Sequence, residues 1–354
     1  MQGSQSTPHI QAGVFAITIS GGNMFKRRLG RSNLEVSAIG LGCWAIGGPW
    51  DWLETDGSTE PVGWGQVDDA ESIRAIQYAL EAGINFFDTA ANYGCGHSER
   101  ILSQAIAGRR DQVILATKFG YVVDEEKRTV AETDDIIPRI RRECEASLRR
   151  LQTDYIDLYQ FHKGDYPPER AAEICDVLEK LVAEGKIRWY GWSTDNPEGA
   201  RVFAQGQHCT AIQHVLNMQY DAPQMLAVCE DHDQASINRT CLGMGMLTGK
   251  FNRETTFPED DVRHNWDLQA ERPAKNLERI QAVRKMFADD GDTRTLAQVA
   301  LAWIWTRNGR TIPIPGFKTI AQVKENIQAM EFSLLREEQM RKIDELYERA
   351  PVLF

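Results

Sequence analysis

The stretch DDAESIRAIQYALEAGINFFD, Asp68 to Asp88, decides the fold. Two acidic residues open an amphipathic run, at the end of a helix where negative charge is favoured. Gly83 stops that run, and INFFD (84–88) follows at once as a short apolar segment that finishes on a carboxylate. A helix that ends on glycine and passes straight into a strand is one unit of a βαβ chain. The same rhythm recurs from Ala38 onward. Candidate strands are AIGLG (38–42), INFFD (84–88), VILATK (113–118), YIDLYQFH (155–162), RWYGWS (188–193), TAIQHVLN (210–217), ASIN (235–238) and TIPIP (311–315). Between them lie amphipathic segments such as ERAAEICDVLEKLVAEG (169–185), which again stops on a glycine.

Eight strands with eight crossovers and no Pro/Ser-rich linker predict an α/β chain folded as a single (β/α)8 TIM barrel. An open doubly wound sheet would place GxGxxG after its first strand, a spacing that GLGCWAIGG (40–48) lacks. KRRLGRSNLEVS (26–37) reads as a hairpin turning at Gly30 to Asn33, placed to plug the N-terminal end of the barrel. Residues 43–67 form a long first loop holding Trp44, Trp50, Trp52 and Trp64, and residues 251–290 add a loop and helix after strand 7. Met24 begins the barrel domain, 24–354, and residues 1–23 are either an upstream extension or an ordered flap.

The composition, 42% hydrophobic and 26% charged, is that of a globular protein. A net charge of −11, with Lys and Arg interspersed among acidic residues, speaks against nucleic acid as a partner. The seven cysteines are odd in number, scattered and without a CxxC pair, as expected for reduced thiols in the cytosol. No run approaches 18 apolar residues, and the first 23 residues lack a basic n-region and full h-region, so no membrane association and a cytoplasmic location are expected. The histidines form neither HxH nor HExxH, so no metal site is expected and a metal-dependent hydrolase or lyase is disfavoured. No sustained heptad sets an oligomeric state.

Active sites of this fold sit at the C-terminal ends of the strands. The polar residues found there are Asp88, Lys118, His162, Ser193, Gln213 with Asn217, and Arg239, and Tyr93 lies just beyond strand 2. A free tyrosine has a pKa of about 10, too high for easy proton exchange at neutral pH. A buried cation beside it lowers that value; Lys118 is placed to be the cation, and Asp88 to be its counter-charge. His162 adds a hydrogen-bond donor that orients a carbonyl and shares its proton. Such a set protonates a carbonyl oxygen that gains negative charge during hydride reduction, and because no side chain donates hydride, a nicotinamide cofactor is required.

The motifs FFDTAANYG with GHSERIL, VILATKFG, DYIDLYQFH, GWSTDN, LTGKF and IPIPGFKTIAQVKEN resemble, in order, those of the aldo-keto reductase superfamily across about residues 26–349. The resemblance implies NADPH/NADP+ as cofactor and a catalytic tetrad on Asp88, Tyr93, Lys118 and His162, with Tyr93 the general acid. It implies that Ser193, Thr194 and Gln213 hold the carboxamide, and that cofactor contacts extend over Cys43, Trp44, Asp88, Arg239, Thr240, Cys241, Leu242, Gly243, Met244, Gly245 and Lys250. The nucleotide end falls on Gly316, Lys318, Thr319, Gln322, Glu325 and Asn326, with Arg263 within reach. KTIAQVKEN opens a helix, whose free N–H groups suit a phosphate, and Lys318 stands where the 2′-phosphate of NADP would lie.

The chain departs from the family pattern in two places. Arg239 replaces an aromatic that stacks on the nicotinamide, which predicts a bias toward the neutral reduced ring. Cys241 replaces a proline in the pyrophosphate loop. Trp44 and Trp50 are expected beside Tyr93 and His162 in the substrate pocket, where an aromatic wall suits apolar carbonyl compounds; Trp50, Trp52 and Trp64 equally suit packing of the loop on the rim. The expected activity is NADPH-dependent reduction of an aldehyde or ketone. The rivals are an NAD(P)-dependent sugar or polyol dehydrogenase and a cofactor-binding redox-sensing regulatory subunit.

Overall fold

In the computed structural model, which describes residues 25–349, the deciding stretch folds as its pattern requires. The first barrel strand, β1 (Leu41–Gly42), leads through the long loop to α1 (Asp69–Glu81) and then to β2 (Phe86–Asp88). The Asp68 carboxylate accepts from the Glu71 N–H at 3.0 Å and caps α1. Gly83, at φ 90°, takes the left-handed conformation that ends the helix, and two residues later the chain enters β2.

The remaining barrel strands are β3 (Ile114–Phe119), β4 (Ile156–Phe161), β5 (Ile187–Ser193), β6 (Cys209–Val215), β7 (Ala235–Arg239) and β8 (Thr311–Pro313). They pair in parallel in sequence order from β1 to β8. The sheet closes on itself: Gly40 N–H donates to Pro313 O at 2.9 Å, Gly42 N–H to Pro315 O at 3.1 Å, and Gly42 bridges Gly316 in parallel. All eight expected strands are present, each within a few residues of its sequence bounds. Helices α2 (His97–Ala105), α3 (Ile140–Leu151), α4 (Pro168–Ala183), α5 (Pro197–Phe203) and α6 (Pro223–Asp231) follow β2 to β6. Beyond β7 come the added helix α7 (Glu271–Asp289) and α8 (Leu296–Arg307), and after β8 α9 (Ile320–Gln328) and α10 (Glu337–Leu346).

Side chains alternate between the two faces of a strand, so residues two apart share the barrel interior. The lower interior layer is apolar: Phe86, Ala116, Leu158, Ala211 and Ile237, one from each of β2, β3, β4, β6 and β7. The expected N-terminal hairpin, Lys26–Arg28 paired antiparallel with Glu35–Ser37, adds Leu29, Leu34 and Val36 to the same cluster and so plugs the floor. Its turn requires glycine: Gly30 has φ 55°, and a Cβ there would stand 1.9 Å from Thr210 O. The opposite faces of the strands pack under the helices as a second, larger core.

Sequence reading had left the rim as loops, whereas it contains a second sheet. Asp51–Leu53 and Thr59–Pro61, from the first loop, join Val122–Asp124 and Thr129–Ala131, from the loop after β3, in one four-stranded sheet. All seven cysteines are buried and unpaired. Among the described residues no helix is long and apolar enough to cross a membrane. The expectations for residues 1–23 lie outside the described residues.

Candidate active site

One step above the apolar layer, the same alternation points polar side chains inward. Two residues beyond Phe86, Ala116, Leu158, Ala211 and Ile237 come Asp88, Lys118, Gln160, Gln213 and Arg239. The interior therefore changes from hydrocarbon to hydrogen-bonding groups within one layer, at the C-terminal end of the barrel.

Asp88 and Lys118 are buried at 1% and 0% exposure. The Lys118 ammonium has three N–H donors, and each has an acceptor: Asp88 Oδ1 at 2.5 Å, Thr89 O at 2.9 Å and the Tyr93 hydroxyl oxygen at 3.0 Å. Tyr93 is held by close backbone approach. Gly94, at φ 60°, lies where a Cβ would stand 1.9 Å from Gly47 O, which pins the Tyr93 turn to the first loop. Burial opposes the charge on Lys118, but Asp88 and Tyr93 outweigh it and raise its pKa. For Tyr93 the balance differs from the sequence expectation. Burial is the largest influence and leaves the phenol above its ordinary value, while Lys118 pulls it down against that.

The His162 ring meets Tyr93 edge to face, centroids 5.9 Å apart, and Tyr121 at 5.4 Å. Its desolvated surroundings, then Lys118 and Arg239, hold it well below the usual histidine range, so the ring is neutral and carries one N–H. Its Nδ1 is buried without a partner. The expected sharing of a histidine proton is thereby narrowed to donation of a hydrogen bond. Arg239 does not lie free at the end of β7. It pairs with Asp195, whose other oxygen accepts from the Val215 N–H at 2.8 Å.

Of the three residues expected around a carboxamide, Ser193 and Gln213 are buried at the strand ends. Gln213 donates to Asp88 Oδ2 at 2.8 Å and to Gln160 Oε1 at 3.1 Å. The Thr194 hydroxyl is turned away, donating to Gly164 O at 2.6 Å and accepting from the Asn196 N–H at 3.1 Å. Cys43 is fully buried, its N–H donating to Asp88 O at 2.8 Å.

After β7 the chain coils tightly through Thr240 (φ 55°), Cys241, Leu242, Gly243 (φ 58°), Met244 (φ 54°) and Gly245 (φ 92°). Cys241, in place of the family's proline, is buried, and burial pushes its thiol up to about 12. The Lys250 ammonium stands 5.2 Å from the Phe251 ring centroid. Arg263 pairs with Asp261 at 2.7 Å, donates to Met244 O at 3.2 Å and lies over Trp64, 4.6 Å from its centroid. The Lys318 ammonium donates to Trp64 O and to Gln66 O, and burial, with Arg263 and Lys250 among its neighbours, lowers its pKa. Three cations thus converge from the loops after β7 and β8. Thr319 caps α9 through the Gln322 N–H, Glu325 and Asn326 follow on that helix, and the buried Asn326 Nδ2 has no partner. Gly316 sits beside Gly42 at the barrel seam.

The first loop and the loop after β7 are clasped together. Trp64 bridges Asp261, the Val262 N–H donates to Gly63 O at 2.8 Å, and the Gly65 N–H donates to Asp260 O at 3.1 Å. Trp44 stacks on Tyr93 at 6.1 Å and meets Trp64 edge-on at 5.2 Å. Trp50, expected in the pocket, is instead buried in the rim against Cys95 and Val130, so the rim packing explains it. Sequence reading missed Gln160, Asp195 and Tyr121. Gln160 had a signal, because it alternates inward between Leu158 and His162; Asp195 and Tyr121 had none, since each acts through a neighbour distant in sequence.

The barrel, with its polar layer at the C-terminal strand ends, defines a (β/α)8 enzyme. The chain belongs to the aldo/keto reductase family, whose sequence profile matches residues 38–348. It is 34% identical over 314 residues to Aldo-keto reductase YhdN of Bacillus subtilis, covering 87% of this chain and 89% of that one. It is 31% identical over 340 residues to the NADH-specific methylglyoxal reductase of Escherichia coli, covering 92% and 100%. An aldo/keto reductase from Klebsiella pneumoniae, solved in complex with NADP and acetate, matches with a TM-score of 0.64 at 27% identity, over 93% of this chain and 97% of that one. The family is one of NAD(P)-dependent oxidoreductases acting on carbonyl groups, and that general activity extends to this chain.

Proposed function

We propose that the protein reduces an aldehyde or ketone to the alcohol at the expense of NADPH, with Tyr93 as the general acid. The observation that carries this reading is the saturation of Lys118. Its three donors are spent on Asp88, Thr89 and the Tyr93 oxygen, so Tyr93 accepts there and keeps its own O–H for a substrate oxygen. A bound reduced nicotinamide supplies the hydride to the carbonyl carbon. The oxygen that gains charge takes the Tyr93 proton, and the adjacent Lys118 cation stabilises the phenolate left behind. His162, neutral, offers one N–H to the same oxygen. Trp44, stacked on Tyr93, presents an apolar wall to the substrate carbon.

The residues at the nucleotide end suit a dinucleotide phosphate. Lys250, Arg263 and Lys318 converge there, and the buried Asn326 amide lacks a partner. The positive charge favours NADPH over NADH, and the NADP complex of the Klebsiella relative is consistent with it. The test is oxidation of NADPH and of NADH against a panel of aldehydes and ketones, with Tyr93→Phe beside the parent. The parent is expected to turn over with NADPH preferred, and Tyr93→Phe to lose at least about a hundredfold in kcat. Full activity in Tyr93→Phe would remove Tyr93 from the reaction. Cofactor binding without turnover on any carbonyl would favour a sensing role.

A further inference from the structure

Asp88 is gripped on both oxygens. Lys118 occupies Oδ1, and Oδ2 accepts from two amide nitrogens, Gln160 Nε2 and Gln213 Nε2, each at 2.8 Å and all buried. Gln160 Oε1 in turn accepts from Gln213 Nε2 at 3.1 Å. Asp88 here serves only as an acceptor, so an amide that touches it must present its nitrogen. That requirement orients both glutamines. Gln160 turns its oxygen to Gln213, Gln213 spends its nitrogen on Asp88 and Gln160, and the Gln213 oxygen is the end left without a partner among the described residues.

We propose that Gln160 is a positioning residue which, with Asp88, fixes the orientation of the Gln213 amide, so that Gln213 meets the cofactor carboxamide with its oxygen and accepts from the carboxamide NH2. This rests on the function proposed above. A glutamine free to rotate would meet the carboxamide equally well either way, because both ends of an amide have a matching partner on another amide. The acceptor-only Asp88 and the carbonyl of Gln160 remove that freedom. The charged and titratable groups around the grip are Lys118 on β3, Tyr93 after β2, Cys43 after β1 and, farther out, His162 and Arg239.

The test compares NADP+ with its 3-acetylpyridine analogue, which keeps the ring carbonyl and replaces the NH2 by methyl, by titration calorimetry. The parent should bind NADP+ about five- to tenfold more tightly than the analogue, the value of one hydrogen bond. Gln160→Leu should cut that preference to about twofold or less, because a rotated Gln213 can donate to the carbonyl that both ligands retain. Gln160→Met repeats the test with a near-isosteric side chain should the leucine variant fail to fold, and Asp88→Asn should lose the preference likewise. Equal binding of the two ligands by the parent, or an undiminished preference in folded Gln160 variants, overturns the inference and leaves the reductase reading standing. A parent that binds neither ligand overturns both.

Discussion

Lys118 and Asp88 lie 2.5 Å apart, nitrogen to oxygen, with both side chains shut off from solvent. Removing one member strands the other charge, which for a buried pair costs about 3–5 kcal/mol. Lys118→Met should therefore lower unfolding free energy by that order in urea titration. The double variant Asp88→Asn/Lys118→Met should regain most of the loss while turnover stays abolished. Stability of the double variant no better than that of Lys118→Met would show that the pair is not what holds this region.

Acid should weaken the fold through His214. The ring is fully buried and burial pushes it down to about 4, with Nδ1 on Val215 O at 3.0 Å and Nε2 on Ser236 Oγ at 2.8 Å. The unfolded chain takes up this proton near pH 6.5 and the folded chain only near 4, so stability is lost as pH falls through that window, at up to about 1.4 kcal/mol per pH unit. Between pH 7 and pH 5 the parent should lose about 2 kcal/mol through this residue. Denaturant titrations of the parent and His214→Asn at both pH values check it; equal slopes would refute the assignment.

Lys318 now donates to two backbone carbonyls of the first loop, and a 2′-phosphate would offer it a stronger, charged acceptor. Lys318→Met should raise KM for NADPH about tenfold to a hundredfold, the worth of a charged hydrogen bond, and leave KM for NADH within about twofold. A parallel rise for both cofactors would locate Lys318 in loop packing rather than phosphate recognition.

Arg239, held by Asp195, bears on which redox form binds. A guanidinium near the ring repels the oxidised nicotinamide more than the reduced one, and Asp195 offsets part of that charge. Asp195→Asn should widen the ratio of NADP+ to NADPH dissociation constants roughly two- to fivefold, and Arg239→Tyr should narrow it. Ratios unchanged in both variants would sink the idea.

The barrel was legible because its units repeat: a helix stopped by glycine, then a run of apolar residues ending in a polar one. The charged members of the polar layer stood out for the same reason, since Asp88, Lys118 and His162 interrupt hydrophobic strands. Gln160 was overlooked for being neutral and one step short of the strand end, although its parity with Leu158 and His162 places it inside. The rim sheet was hidden by its three-residue strands, whose side chains are mostly exposed or half-buried and show no sustained alternation. Trp50 was drawn to the pocket by its neighbours in sequence, while its burial against Cys95 and Val130 is a tertiary fact. The net direction for Tyr93 was missed because sequence names the charged neighbour and leaves out the extent of desolvation.

The seven buried thiols turn the chain into its own stopwatch. A thiol reagent cannot reach them until the surrounding structure parts, so each labelling rate times an opening event at a known address. Cys241 reports on the coil after β7, Cys43 on the seam beside Asp88, Cys95 on the rim, and Cys144, Cys175, Cys209 and Cys229 on the packing of the outer helices against the barrel. Mass spectrometry of labelled peptides, with and without cofactor, would read these clocks separately on the unmodified sequence. Slowing confined to Cys241 and Cys43 would show that dinucleotide binding stills the mouth of the barrel and leaves its outer wall to breathe as before.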